Sequence, residues 1–315
     1  GGTMPDMPEK WTIQTPARGD QLAACRLVVA GRGDRNQPSR QGDALHRLLS
    51  VRRPDEYWLR WARPTDRPSG PPGGACVVLA DPGKVGIALY PAAGQADLDE
   101  AALSRTIAAA TDDALSSGLS LVQSIPPEGA EADVAVLVDA GFRLLAELQY
   151  MRCELTGKPE PHLPQREEIT VETFGEYSQD ELAAVIRATY QDSLDCPGLS
   201  ELREMDDVLE GHRATGIFNP STWWLVRWAG QPAGCVLVNE SIAGEAQMVY
   251  LGVVPAFRGR GLARWMTAAV MQACRQAGLT AMTLAVDRRN AAAARAYRDA
   301  GLTIGEERNA YIKHY

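Results

Sequence analysis

The chain repeats itself at long range, and that repeat constrains its fold more than any other feature. Ser117-Gly118-Leu119-Ser120-Leu121-Val122 resembles Ala277-Gly278-Leu279-Thr280-Ala281-Met282 at an offset of 160 residues. Asp139-Ala140-Gly141-Phe142 resembles Asp299-Ala300-Gly301-Leu302 at the same offset of 160. Upstream, Tyr57–Ala62 echoes Trp224–Ala229 with a slightly different spacing. A fixed period of this kind points to one structural unit used twice. Between the copies, Thr156-Gly157-Lys158-Pro159-Glu160-Pro161-His162-Leu163-Pro164 is polar and proline-rich, as a linker is. The expected division is residues 4–157 and 158–315, with Gly1, Gly2 and Thr3 ahead of Met4 set aside as a cloning remnant.

Each half reads as the same run of elements. In the second half, Ile169–Val171 opens as a strand, and Asp180–Tyr190 and Asp206–Ala214 read as helices. Strands follow at Trp223–Trp228, Cys235–Val238 and Gln247–Val254, the first two joined by Ala229-Gly230-Gln231-Pro232. Leu262, Met266, Ala269, Val270 and Ala273 recur at three- and four-residue steps, one face of a helix that stops at Gly278. A β-rich run at Thr280–Val286, an alanine-rich helix at Ala291–Ala300 and a last strand complete the half. The first half repeats the later part, with strands at Ala75–Leu79 and Val85–Leu89 and a helix bearing Leu103, Ile107, Ala110 and Ala114. A strand at Leu119–Val122, a helix at Glu131–Ala140 and a strand at Leu144–Cys153 follow. The expected class is α+β in two tandem units, each a mixed, mostly antiparallel sheet flanked by helices.

Composition narrows the functions. The net charge of −8 argues against a nucleic-acid backbone as partner. No apolar run is long enough to span a bilayer, and no signal-peptide layout opens the chain. Six cysteines lack CxxC spacing and only four histidines occur, so neither a zinc site nor a disulfide framework is indicated and a cytoplasmic setting is expected.

The chemistry concentrates in Leu251-Gly252-Val253-Val254-Pro255-Ala256-Phe257-Arg258-Gly259-Arg260-Gly261-Leu262-Ala263-Arg264. This is a strand, a turn with two glycines, and a helix start, with three arginines in an acidic chain. Glycines let the backbone come close to an anion, and the free N–H groups and dipole of a helix start favour a diphosphate. A solvated basic turn before an ordinary helix has the same residues. Further on, Asn290 starts a helix that carries Ala293, Tyr297 and then Gly301-Leu302. Asn290 suits an N-cap, and Tyr297, seven residues on, projects from nearly the same face. Taken alone, Tyr297 equally suits core packing.

In order and spacing the two segments resemble the GNAT acyltransferase superfamily. Its acetyl-CoA signature of Arg or Gln, two residues, Gly, one residue, then Gly or Ala is met by Arg258, Gly261 and Ala263. Its later series is met by Asn290, Ala293, Tyr297, Gly301 and Leu302. The resemblance covers Ile169–Tyr315 and implies an N-acetyltransferase with acetyl-CoA as acyl donor. It implies that backbone groups of Leu251, Gly252 and Val253, on a strand splayed from its neighbour, hold the thioester and pantetheine. It also implies that the stretch Gly259, Arg260, Gly261, Leu262, Ala263 and Arg264 cradles the diphosphate, that Asn290 touches the CoA arm, and that Tyr297 protonates the leaving thiolate.

The base is the part that departs from the pattern. Where many members place a glutamate, this chain has Gln247 and Ala285, and Glu245 is the candidate on the same strand face as Gln247. In the first half the matching turn, Pro91–Glu100, has no arginine and three acids, while Asn290 and Tyr297 become Ala130 and Leu137. That half is expected to keep the fold without a cofactor site, a tandem layout known in the superfamily. The acceptor, a primary amine of a small molecule or peptide, is expected against Tyr190, Asp192 and Asp195, whose carboxylates suit a cation. A non-catalytic acyl-CoA-binding regulator is the rival reading, favoured by the missing glutamate. The oligomeric state stays open, a homodimer included.

Overall fold

A computed structural model describes residues 10–32, 38–157, 163–199 and 201–315. Gly1–Met4 and, within the expected linker, Lys158–His162 lie outside the described residues. In chain order the elements are β1 (Trp11–Gln14), α1 (Gln21–Val28), α2 (Pro38–Val51), β2 (Tyr57–Pro64), β3 (Gly74–Asp81), β4 (Val85–Leu89), α3 (Glu100–Ser116), β5 (Leu121–Ser124) and α4 (Glu131–Asp139). They continue with β6 (Arg143–Glu154), β7 (Ile169–Thr173), α5 (Gln179–Thr189), α6 (Met205–Ala214), β8 (Trp223–Trp228), β9 (Gln231–Glu240) and β10 (Ala246–Val253). The last are α7 (Leu262–Gln276), β11 (Ala281–Asp287), α8 (Ala291–Asp299) and β12 (Thr303–Lys313). The repeated plan is therefore an α+β unit used twice.

The chain does not divide at the linker. One unit takes the described residues up to Leu144 together with Ala310–Tyr315, and the other takes Leu145–Asn309. Two strands explain this. β6, the last strand of the first half, pairs antiparallel with β11 from Ala281↔Glu154 to Asp287↔Leu148. The end of β12 pairs with β5 from Tyr311↔Ser124 to Lys313↔Val122. Each half gives its final strand to the sheet of the other. Hydrophobic burial accounts for the exchange: Met151, Cys153 and Leu155 sit in one core with Leu262, Met266 and Val270, while Tyr311 sits in the core of Leu103, Ile107 and Val122. A buried side chain of that size contributes roughly 1.5–3 kcal/mol.

In the second unit the strands run β6-β11-β10-β9-β8-β7. The β7 to β10 pairs are antiparallel, and β10 and β11 are parallel. α5 starts at Ser178, whose hydroxyl accepts from the N–H of Glu181. α5 and α6 cover one sheet face, packing Leu182, Ile186 and Leu209 on Trp223 and Leu225. α7 and α8 cover the other. α7 buries Leu262, Met266, Val270, Met271 and Cys274, a stripe at helical spacing. The first unit orders its strands β1-β2-β3-β4-β5 and then the end of β12. Among the described residues no helix is long and apolar enough to cross a membrane, and no cluster of His, Cys, Asp and Glu could hold a metal ion.

Candidate active site

The site begins with a gap between two parallel strands. β10 and β11 pair only at Ala246↔Met282 and Gln247↔Thr283. Beyond Gln247 a bulge shifts the register of β10 against β9 between Met248 and Tyr250. A bulge bends its strand and increases the twist, which turns the rest of β10 away from β11. It also puts Val249 and Tyr250 both on the α5–α6 face, while Leu251 and Val253 pack toward α7 and α8.

The backbone edge facing the gap follows from alternation. The N–H of Val254 donates to the carbonyl of Ala233 on the β9 side at 2.9 Å. Peptide groups alternate along a strand, so those of Leu251 and Val253 point into the gap and those of Gly252 point toward β9. Gly252 thus differs from the expected role as a backbone ligand. A Cβ there would meet the side-chain oxygen of Thr189 at 2.6 Å, so the glycine lets α5 lie against β10.

After β10 the chain makes a 3₁₀ turn at Pro255–Phe257 and reaches α7 through Gly259 (φ 75°) and Gly261 (φ 76°). Both sit in the left-handed region that side chains resist. The space that a Cβ on Gly259 would take is open, with nothing within 4 Å, and no side chain caps the first turn of α7. Leu262, Ala263 and Arg264 therefore offer N–H groups at the positive end of a helix of 15 residues.

The arginines divide their duties. Arg258 is not available to a diphosphate: it donates to the carbonyls of Val253 (3.1 Å), Asp192 (3.3 Å), Thr189 (3.0 Å) and Gln191 (2.8 Å). It caps the C-terminus of α5 and joins it to the end of β10. Arg260 lies over the rings of Trp228 and Phe257, each 5.6 Å away. Arg264 approaches Asp299 at 4.0 Å, both exposed. Arg166, which no local pattern marked, donates to the carbonyl of Arg260 at 3.0 Å and stacks over Trp228.

Asn290 caps α8, its side-chain oxygen accepting from the N–H of Ala293 at 3.2 Å. Tyr297 is buried at 6% exposure in the α7–α8 core. Burial raises its phenol pKa, and the charge of Asp195 adds to the rise. Asp195 has come across from the loop after α5. Its carboxylate accepts from the N–H of Asp287, at the end of β11, over 3.4 Å. The residue as a whole is exposed, yet desolvation on its protein side raises its pKa; the N–H of Asp287 offsets part of the rise, and the charge of Asp287 adds a smaller one. Burial also pushes Asp287 upward, but the guanidinium and N–H of Arg289 and the N–H of Cys196 outweigh it and leave a lowered value.

The α5–α6 face completes the surroundings. Tyr190 and Tyr250 meet edge to face at 6.1 Å, and His212 lies 5.5 Å from Tyr250. Thr189 donates to the carbonyl of Ile186, so Tyr250 donates to the Thr189 oxygen at 2.6 Å. Burial, then Arg203, lowers His212 to about 4, while burial raises Tyr190 to about 12. The geometry thus brings Leu251, Val253, Tyr190, Asp195 and Tyr297 around one gap. Asp192 is exposed with φ 53° and is present chiefly through its carbonyl on Arg258.

Glu245 is not among them. It stands before β10, where the strands are still paired, and accepts from Arg152 on β6 at 2.6 Å. At about 3.3 Å per residue it lies roughly 20 Å along the strand from Leu251. Tyr250, Thr189 and His212 were missed because each is an ordinary core residue until the bulge turns Tyr250 onto the helix face.

In the first unit the counterpart gap is filled. β4 and β5 pair at three positions, Val85 to Ile87, and the buried Tyr90 accepts from Ser124 across their ends at 3.3 Å. Arg32 stacks on Tyr90 at 4.9 Å and clasps Asp133 at 2.6 and 2.9 Å. Asp133 also takes the N–H of Ala93 at 2.8 Å, so the turn after β4 binds an anion of its own chain.

An α+β sheet whose parallel pair opens beside an uncapped, glycine-led helix has the layout of a GNAT domain, and the comparisons agree. Residues 183–302 match the Acetyltransferase (GNAT) family, and the chain carries a GNAT acetyltransferase domain. The mycothiol acetyltransferase of Streptomyces coelicolor is 31% identical over 171 residues, 53% of this chain and 53% of that protein. The match spans about half the length of that relative. A GCN5-related N-acetyltransferase from Sphaerobacter thermophilus superposes with a TM-score of 0.61 at 18% identity, over 98% of this chain and 97% of that one. A tandem GNAT protein from the clavulanic acid biosynthesis pathway gives 0.51 at 12% identity, over 96% and 98%. These likenesses show the fold, two GNAT-like units in tandem.

Proposed function

We propose that the chain is an acetyl-CoA-dependent N-acetyltransferase that acetylates a primary amine of a small molecule or peptide. The observation that carries the reading is the gap after Gln247 and Thr283, opening beside the uncapped first turn of α7. The donor fits the residues present. The N–H groups of Leu262, Ala263 and Arg264, with the open space at Gly259, suit a diphosphate. The gap-facing peptide group of Leu251 and the N–H of Val253, whose carbonyl is taken by Arg258, suit the amides and thioester of a pantetheine arm, whose carbonyl oxygen gains charge as the amine attacks. Asn290, at the start of α8, is the residue proposed to touch that arm. Tyr297, protonated at neutral pH as any phenol is and held more firmly so by burial, suits a general acid for the departing thiolate.

Only the second unit has this equipment, so one acetyl-CoA is expected per chain. The first unit serves as a folded partner without a donor site. Six free cysteines among the described residues suit a reducing cytoplasm. The second reading, a non-catalytic acyl-CoA-binding protein, draws on Gln247 and Ala285 standing where a carboxylate is common. Calorimetry with acetyl-CoA and a CoA-release assay over a panel of primary amines separate the two. One site per chain, lost in Gly261→Glu, together with amine-dependent CoA release, supports the enzyme. Binding without release favours the second reading, and two equal sites or binding that survives Gly261→Glu would overturn the proposed site.

A further inference from the structure

On the strands that line the gap, Gln247 and Ala285 occupy the candidate positions, the one carboxylate is Asp287 at the end of β11, and Glu245 is held by Arg152 at the closed end. Two carboxylates lie at the open end. Asp287 is wholly buried, with Arg289 on both of its oxygens and the N–H of Cys196 on one of them. It has no oxygen left for a ligand. Asp195 differs. Among the described residues its carboxylate accepts a single, long hydrogen bond, 3.4 Å from the N–H of Asp287, and only on Oδ1. That bond to the end of β11 puts it at the open end of the gap, and its charge also acts on the phenols of Tyr297 on α8, Tyr190 just after α5 and Tyr250 on β10. On the Tyr250 side lies a further polar atom. The Nε2 of His212, buried against the Tyr250 ring, has no hydrogen-bond partner among the described residues.

Resting on the transferase reading above, we infer that Asp195 is the group that takes the proton from the acceptor amine. An alkylammonium gives one proton to the open oxygen of Asp195. The freed nitrogen pair forms the C–N bond at the thioester carbonyl, whose own pair moves to oxygen. Collapse restores the carbonyl and breaks the C–S bond, and the sulfur takes the proton of Tyr297. The nitrogen then gives its second proton to the Tyr297 phenolate, and Asp195 releases its proton to solvent, so one proton leaves per turnover. Desolvation raises the Asp195 pKa, which makes the carboxylate a better base than a free one. The titratable groups in its electrostatic reach are Asp287 from β11, Tyr297 from α8, Tyr190 just after α5, Tyr250 from β10 and Cys196 beside it, while Arg289 acts on Cys196 and Arg203 on Tyr190.

The test compares wild type with the isosteric Asp195→Asn on amines of falling basicity: ethanolamine, glycinamide and trifluoroethylamine. Acetyl-CoA affinity and thermal midpoint are measured on the same preparations. The expected result is a loss of kcat/KM with ethanolamine of about 10²–10⁴-fold, shrinking toward none with trifluoroethylamine, which is already neutral at pH 7. Acetyl-CoA affinity stays unchanged, and the acid limb of the ethanolamine pH profile flattens. Equal loss on all three amines, or no loss, overturns the role of Asp195 and leaves the transferase reading standing. No CoA release by wild type with any of the three overturns both. If Asp195→Asn is recovered unfolded, Asp195→Ser gives the same comparison.

Discussion

Arg258 Nη2 donates to the carbonyl of Thr189 at 3.0 Å, and through that bond the turn before α7 closes the C-terminus of α5. The sequence motif contains this arginine for its position, while its charge is engaged by four carbonyls. Arg258→Ala should therefore act on both halves of the site. These bonds are largely exposed, so the loss is about 1 kcal/mol, or a fall in Tm of roughly 2–4 °C, with KM for acceptor and donor both raised. Arg258→Lys should not restore either, because one ammonium cannot span carbonyls that a planar fork reaches together. Steady-state kinetics and melting curves check this.

Tyr297→Phe should lower kcat by about 10²–10⁴-fold and leave acetyl-CoA affinity and Tm near wild type. The side chain would keep its packing, and only the hydroxyl would be lost. A variant that keeps near-full kcat on a working acceptor returns Tyr297 to a packing role.

Residues 163–315 alone should fail to fold cooperatively. That fragment lacks β6, so β11 loses its partner from Ala281 to Asp287 and the core loses Met151, Cys153 and Leu155. An uncovered edge of that length invites aggregation. A fragment that begins at residue 143 should recover soluble, cooperative melting by circular dichroism. Equal stability of the short fragment and the whole chain would contradict the strand exchange.

Arg32→Ala should cost about 2–3 kcal/mol, somewhat below the figure for breaking a fully buried pair. Asp133 is left with 4% of its side chain exposed and no guanidinium, but Arg32 itself keeps 24% exposure, and water screens part of the pair. The emptied corner should still bind no acetyl-CoA, because Asp133 remains on the N–H of Ala93. Denaturant melts and calorimetry on the variant read both effects.

The two aspartates should respond to pH with opposite signs. Asp195 has a raised pKa in the fold, so its contribution favours folding at low pH and is lost as pH rises through that raised value. Asp195→Asn should then melt at or above wild type at pH 7, the difference closing toward about pH 4. Asp287 has a lowered pKa, so its contribution is present above the ordinary aspartate range and is lost as pH falls through the lowered value. Asp287→Asn should melt below wild type at pH 7 by about 1–3 kcal/mol, since Arg289 and the N–H of Cys196 lose their charged acceptor.

What the sequence alone determined is local or periodic. The repeat at an offset of 160 residues, the helix faces of α7 and α8, the Asn290 cap and the glycine-led turn are each written within a few residues, because helical spacing and left-handed backbone depend on near neighbours. So is the contrast between an arginine-rich turn in one half and an acidic one in the other. The tertiary structure decided the rest. Which sheet receives β6 and β12 depends on which apolar edge is open in space, so the halves of the sequence are not the units of the fold. Glu245 looked usable until β6 brought Arg152 to it. Arg258 and Thr189 are 69 residues apart, and Asp195 meets Asp287 across 92, distances over which spacing carries no information. The bulge before Tyr250 is the deciding element: one extra residue on β10 turns the strand away from β11 and sets Tyr250 on the α5–α6 face.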